Sequence, residues 1–209
     1  MDEERFIDNP VTGERYALVT SGAETGGDYV EGRGYLPVGA RPPGMHRHAN
    51  QDEQVTVVSG LIRARLGKDE REYGPGETFV LPRGQWHDFW VVGDGPAETL
   101  ARATPALGIE LLLGTLAGLA QEGKVDKKGR PRLLQGAVIG RFYSEVAEFK
   151  VPPPAVQRVV LPLLAAVGSR RGLRPYYDRH FRPGEIEAIL AHWAAHRPKP
   201  PSDSRKFPS

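Results

Sequence analysis

Residues 46–60 read HRHANQDEQVTVVSG, and residues 76–87 read GETFVLPRGQWH. Together they set His46, His48, Glu53 and His87 among Gly60, Gly76, Pro82 and Gly84. Side chains at i and i+2 of an extended strand share a face, so His46 and His48 can aim both imidazoles at one point. Glu53 follows after a short bend and adds a carboxylate from the next stretch of backbone. His87 has to arrive from a non-adjacent strand, as when ligands close around a barrel interior. Three neutral imidazoles and one carboxylate suit one divalent transition metal: iron, manganese, nickel, zinc, cobalt or copper. Four protein ligands on a six-coordinate ion leave two positions for water, substrate or oxygen, as a catalytic site needs. The competing reading is a metal-free barrel whose histidines hydrogen-bond internally.

Short β-like runs surround these motifs. Arg15–Thr20, Tyr29–Val38, Gln54–Ser59, Leu61–Leu66, Thr78–Leu81, Asp88–Val92 and Glu98–Thr104 alternate with Gly- and Pro-rich turns. Strands about ten residues apart predict a sandwich or barrel. Gly60 and Gly84 fall where hairpin turns need positive φ, and Pro82 sets the chain direction ahead of His87. After Pro105 the period changes, and Leu107–Ala120, Leu133–Tyr143, Ala155–Val167 and Glu185–His196 read as helices. Arg197–Ser209 is rich in Pro, Ser and charge and reads as a disordered tail. The expected organisation is a barrel over 1–104, a helical extension over 105–196 and a tail over 197–209.

Composition removes several chemistries. The 209 residues include no Cys, so disulfides, thiolate metal sites and thiol catalysis are excluded. The acidic start of the chain lacks the apolar core of a signal peptide, and no apolar run reaches a membrane-spanning length, so a cytoplasmic protein is expected. The net charge of +2 hides a split. Residues 1–104 carry 11 Lys/Arg and 17 Asp/Glu, whereas residues 105–209 carry 17 and 9. Such halves attract each other within a chain or across a dimer. No nucleic-acid motif accompanies the basic half, so no nucleic-acid partner is expected.

At the two motifs the sequence resembles the cupin superfamily. The first motif runs Gly39, His46-Arg47-His48, Glu53, Gly60, with six rather than five residues before His46; the second runs Gly76, Pro82-Arg83-Gly84, His87. Val91 stands where the family usually has Asn, which puts a secondary contact in doubt. The short spacing between motifs is like that of compact bacterial members. The resemblance covers roughly residues 14–104. It implies a mainly β fold, a double-stranded β-helix (jelly-roll) barrel, with His46, His48, Glu53 and His87 as metal ligands. It names no substrate, because the superfamily hosts many chemistries.

Strand alternation extends the site. If Glu53 and His87 face inward, Val55, Val57, Phe89 and Val91 share that face, and Tyr35 on an early strand is a candidate polar contact. Such a wall suits a small, largely apolar organic ligand. Arg63, Arg65 and Arg102 would bind a substrate carboxylate if inward; solvated positions on the outer face are the alternative. In the extension, Leu107–Ala120 and Ala155–Val167 are apolar nearly all round, with Pro162 expected to kink the latter. Both suit burial against the barrel or in a homodimer, with membrane-surface contact as the lesser alternative. His192 and His196 fall near a helix C-terminus, where positive charge is favourable. The leading functional expectation is a metal-dependent enzyme, an iron dioxygenase first, with Glu53 taking a proton from substrate. A metal-dependent isomerase or lyase, and a non-catalytic binding or sensing module, are the rivals.

Overall fold

The structure, a computed structural model, describes residues 6–42, 44–150 and 153–197. The first five residues, and the expected tail beyond Arg197, lie outside the described residues. Eleven strands and four helices are formed within it. The strands of the first half are β1 (Phe6–Asp8), β2 (Arg15–Thr20), β3 (Val30–Leu36), β4 (His46–Arg47), β5 (Asp52–Ser59) and β6 (Leu61–Leu66), then β7 (Asp69–Tyr73), β8 (Thr78–Leu81), β9 (His87–Val92) and β10 (Ala97–Thr104). The second half holds α1 (Ile109–Gln121), α2 (Leu133–Phe142), β11 (Glu148–Phe149), α3 (Pro154–Arg170) and α4 (Glu185–His196). A 3-10 turn at Asp178–His180 precedes α4.

The strands make two antiparallel sheets, ordered β1-β2-β3-β10-β5-β8 and β11-β4-β9-β6-β7. This is a jelly-roll barrel followed by a helical extension. Period-two alternation builds its core: Val55 and Val57 on β5, Ile62 and Ala64 on β6, Phe79 and Leu81 on β8, Phe89 and Val91 on β9 all point inward. Register matches these faces, with Val55 opposite Phe79 and Ile62 opposite Val91. A second core joins Leu107, Leu111 and Leu119 of the α1 region to Tyr143, Ile189 and Trp193.

Four strands escaped the sequence reading, each for a physical reason. β7 is an edge strand of charged residues with no apolar face; its Glu72 and Glu70 pair across to Arg63 and Arg65 of β6. β4 and β11 are two residues each, and β1 is three, too short for a period to register. β11 belongs to the helical half of the chain yet pairs with β4, placing Phe149 opposite His46.

α3 differs from expectation. It packs chiefly on α2 and leaves Val159 and Leu163 about two-thirds exposed, at 66% and 65%, so the barrel does not bury it. Its assignment as helix continues through Pro162. Among the described residues no helix is long and apolar enough to cross a membrane.

The β5–β6 turn depends on Gly60, which has φ 79° and no room for a side chain: a Cβ would lie 2.5 Å from the Pro96 carbonyl oxygen and 2.7 Å from Ala97 Cα. Gly67 has a similar φ of 65° but open space around it. Gly67→Ala should therefore cost only the left-handed backbone penalty, about 1–2 kcal/mol. Gly60→Ala adds a clash with backbone and should cost clearly more in urea denaturation; equal losses would contradict this account of the turn.

Candidate metal centre

His46 on β4 lies directly opposite His87 on β9, and Glu53 on β5 lies opposite Leu81 and Ala103 of its two neighbours. His48 follows β4 by one residue. His46, His48 and His87 are all buried. The candidate ligand atoms of the three histidines and Glu53 fall within 4.8 Å of one another. His46 Nε2 and His48 Nε2 are 3.2 Å apart, and His48 Nε2 is 3.4 Å from Glu53 Oε2.

Each imidazole is oriented from behind. His46 Nδ1 lies 2.8 Å from the Gly44 carbonyl, His48 Nδ1 lies 2.8 Å from that of Val146, and His87 Nδ1 lies 2.9 Å from that of Gln85. A carbonyl oxygen only accepts, so each Nδ1 carries the proton and each Nε2 turns its lone pair inward. Metal-bound histidines are held in this way. Backbone supports the frame further: the Gly84 amide donates to the His48 carbonyl at 2.7 Å, and Asn50 Nδ2 donates to the Glu145 carbonyl. The Val146 and Glu145 carbonyls belong to the helical half, so the extension helps to build the first histidine motif.

The donor set fits a cation. Three nitrogen lone pairs and a carboxylate converge where no donor group lies between them, and His87 Nε2 is buried without a partner. Burial, with His48 and His87 nearby, pushes the His46 pKa down to about 3, which keeps the ring neutral as a ligand must be. Burial likewise lowers His87. Burial opposes a charge on His48, but the adjoining Glu53 carboxylate outweighs it and raises that pKa; burial of Glu53 is in turn outweighed by the histidines, which lower it.

Three of the four, His46, His48 and Glu53, line a cavity of about 170 Å3. Roughly this volume, about 150 Å3, accommodates a benzene ring when walls are apolar. Ala17, Leu18, Val30 and Ala101 line the sheet side, while Ile109, Leu112, Leu113 and Leu116 of α1 line the helix side. Phe89 and Phe149 complete the wall beside the histidines. Of the pocket residues expected from alternation, only Phe89 borders the cavity. Val55, Val57 and Val91 do face inward, but they are packed against Ile62, Phe79 and Leu81 in the filled part of the barrel. Tyr35 stands opposite Arg15 and Glu98 in the sheet, away from the cavity wall. Arg63 and Arg65 pair with Glu72 and Glu70 away from the cavity, whereas Arg102 borders it but is paired with Glu31. His196 sits in the last turn of α4 as expected, its Nδ1 2.9 Å from the His192 carbonyl, whereas His192 is buried beside Glu110.

Tyr16, Gln51 and Glu110 border the cavity and were not expected there. The apolar positions 109, 112, 113 and 116 of α1 follow helical spacing, the signal that one face of this helix covers something. Nothing in the sequence says that the covered object is the mouth of the site.

Residues 32–101 match the family described as Cupin domain, a stretch that holds all four candidate ligands. The match covers about a third of the chain and marks this stretch of the barrel as a cupin domain. Similar solved structures include the cupin domain of Schizosaccharomyces pombe Cnp3, with 14% identity, TM-score 0.39, and 44% of this chain matched to 61% of that one. KdgF from Halomonas sp. gives 21%, 0.43, 47% and 84% in the same order. A sugar phosphate isomerase from a cupin superfamily of Silicibacter pomeroyi gives 27%, 0.40, 46% and 62%. This chain therefore spans about three-fifths of the Cnp3 and isomerase chains. No curated protein matches the sequence.

The purified protein should carry close to one equivalent of a divalent first-row metal by elemental analysis. Metal at a hundredfold over its Kd stabilises the fold by about 2.7 kcal/mol, so chelation should lower Tm in wild type and leave His87→Ala unmoved. A wild-type Tm indifferent to both chelator and added metal would contradict the metal reading.

Proposed function

We propose that this protein is a metal-dependent enzyme acting on a small, largely apolar organic molecule, with oxidation of the dioxygenase type as the leading chemistry. One observation carries the reading: His46, His48 and Glu53 of the four-residue cluster line an apolar cavity of about 170 Å3, with His87 buried behind them. A bound transition metal would supply Lewis acidity and, for a redox-active ion, electron transfer.

The chain's own residues define the rest. The apolar walls from α1 and the sheet displace water from the ligand, which strengthens every charge interaction within. Phe89 and Phe149 flank a flat ring beside the histidines. Glu53 Oε2, 3.4 Å from His48 Nε2 and on the cavity wall, is placed to accept a proton from a ligand hydroxyl. The cavity volume favours a single ring or short chain over a phosphorylated sugar.

The test is oxygen consumption by iron-loaded protein against a panel of small aromatic and alicyclic compounds. The proposal expects one O2 consumed per molecule converted, and a fall of about a hundredfold or more in Glu53→Ala with the fold retained. Conversion that proceeds equally without oxygen would replace it with an isomerase or lyase. Tight ligand capture without turnover, indifferent to oxygen, would replace it with a binding or sensing role.

A further inference from the structure

The cavity contains buried polar atoms that the metal centre does not use. Gln51 is fully buried, and its Nε2 donates to the carbonyls of Pro105 at 2.8 Å and Ala106 at 2.9 Å. Those oxygens only accept, so the amide cannot be turned round, and Oε1 is left buried without a partner. Glu110 in the first turn of α1 is 4% exposed. Its Oε2 accepts the Gly22 amide at 3.2 Å and lies 3.5 Å from His192 Nε2. Among the described residues its Oε1 meets no partner. The backing is closely built: a Cβ on Gly22 would sit 2.7 Å from the His192 ring.

Both unused groups are acceptors. The neighbouring cations are committed elsewhere, since Arg102 pairs with Glu31 at 2.9 Å and lies over Tyr29. A largely buried carboxylate that holds one backbone donor on Oε2 and none on Oε1 is under-satisfied, and a ligand that brings a donor to Oε1 completes it. A ligand carboxylate would instead face Glu110 and Glu53, two groups of its own sign.

We propose that the cavity selects ligands carrying a hydrogen-bond donor, a hydroxyl or amino group on a small apolar frame, and that Glu110 is the residue that binds it. This rests on the apolar-ligand reading above and names the substrate class for the same site. Glu110 comes from the helical extension, so the extension would contribute specificity as well as a wall.

Four probes of similar size test it: toluene, phenol, aniline and benzoate, titrated by ligand-observed NMR against the full chain as purified and again after chelation. Phenol should bind about tenfold or more tightly than toluene, aniline should fall on the phenol side, and benzoate should be weakest. The order should persist after chelation, which separates Glu110 from direct contact with a metal. Glu110→Leu should bring phenol to the toluene value and leave toluene within about twofold. Glu110→Gln, which keeps the volume, should narrow the phenol-to-toluene ratio below about threefold even if the leucine variant fails to fold. A phenol preference that is absent, lost on chelation or retained in both variants overturns this inference while the apolar cavity stands. Failure of every probe to bind overturns both.

Discussion

The site depends on three hydrogen bonds that point away from it. By donating Nδ1–H to the carbonyls of Gly44, Val146 and Gln85, the three histidines commit their tautomers, and their Nε2 lone pairs meet beside Glu53. Such convergence is repulsive unless a cation or a proton occupies it, because lone pairs and a carboxylate are crowded in a setting of low dielectric. Within the protein alone, the contact between His48 and Glu53 is the one attraction in the cluster, and it raises the His48 pKa and lowers that of Glu53. A divalent ion attracts more strongly, since it satisfies His46 and His87 as well. The barrel therefore holds a fixed set of acceptors ready, and their rigidity comes from backbone carbonyls rather than from flexible side chains.

One of those carbonyls links the barrel to the rest of the chain. Val146 and Glu145 precede β11, which adds to the edge of β4, so the segment between α2 and α3 clamps the His46–His48 motif. α1 meanwhile covers the cavity with Ile109, Leu112, Leu113 and Leu116. Site and extension form one physical unit. The apolar cover lowers the local dielectric, which sharpens the preference of the remaining buried acceptors for a donor-bearing ligand.

The sequence made the barrel and its four converging residues legible because both rest on local rules. Period-two alternation located β2, β5, β6, β8 and β9 nearly to the residue, and fixed spacing around Gly60 and Gly84 brought His46, His48, Glu53 and His87 into view. Depth was not legible. Val55 and Phe89 both face inward and belong to one packed cluster, yet only Phe89 also borders the cavity, a difference that strand parity does not carry. Pairings over long chain distance were also hidden: nothing local announces that Phe149 joins His46, that Gly22 makes room for His192, or that Glu110 borders the cavity. In α3 the apolar run predicted burial, but one face packs on α2 while Val159 and Leu163 stay at the surface, a geometry that composition alone does not set.

X-ray absorption at the metal edge of the protein as purified addresses the central claim most directly, because it reads the ligands themselves. The account predicts a single bound species whose inner shell shows three imidazole nitrogens and carboxylate oxygen, with one imidazole lost in His87→Ala. A shell without imidazole scattering, or one unchanged by that substitution, would show that the metal sits elsewhere and that the four converging residues do not hold it.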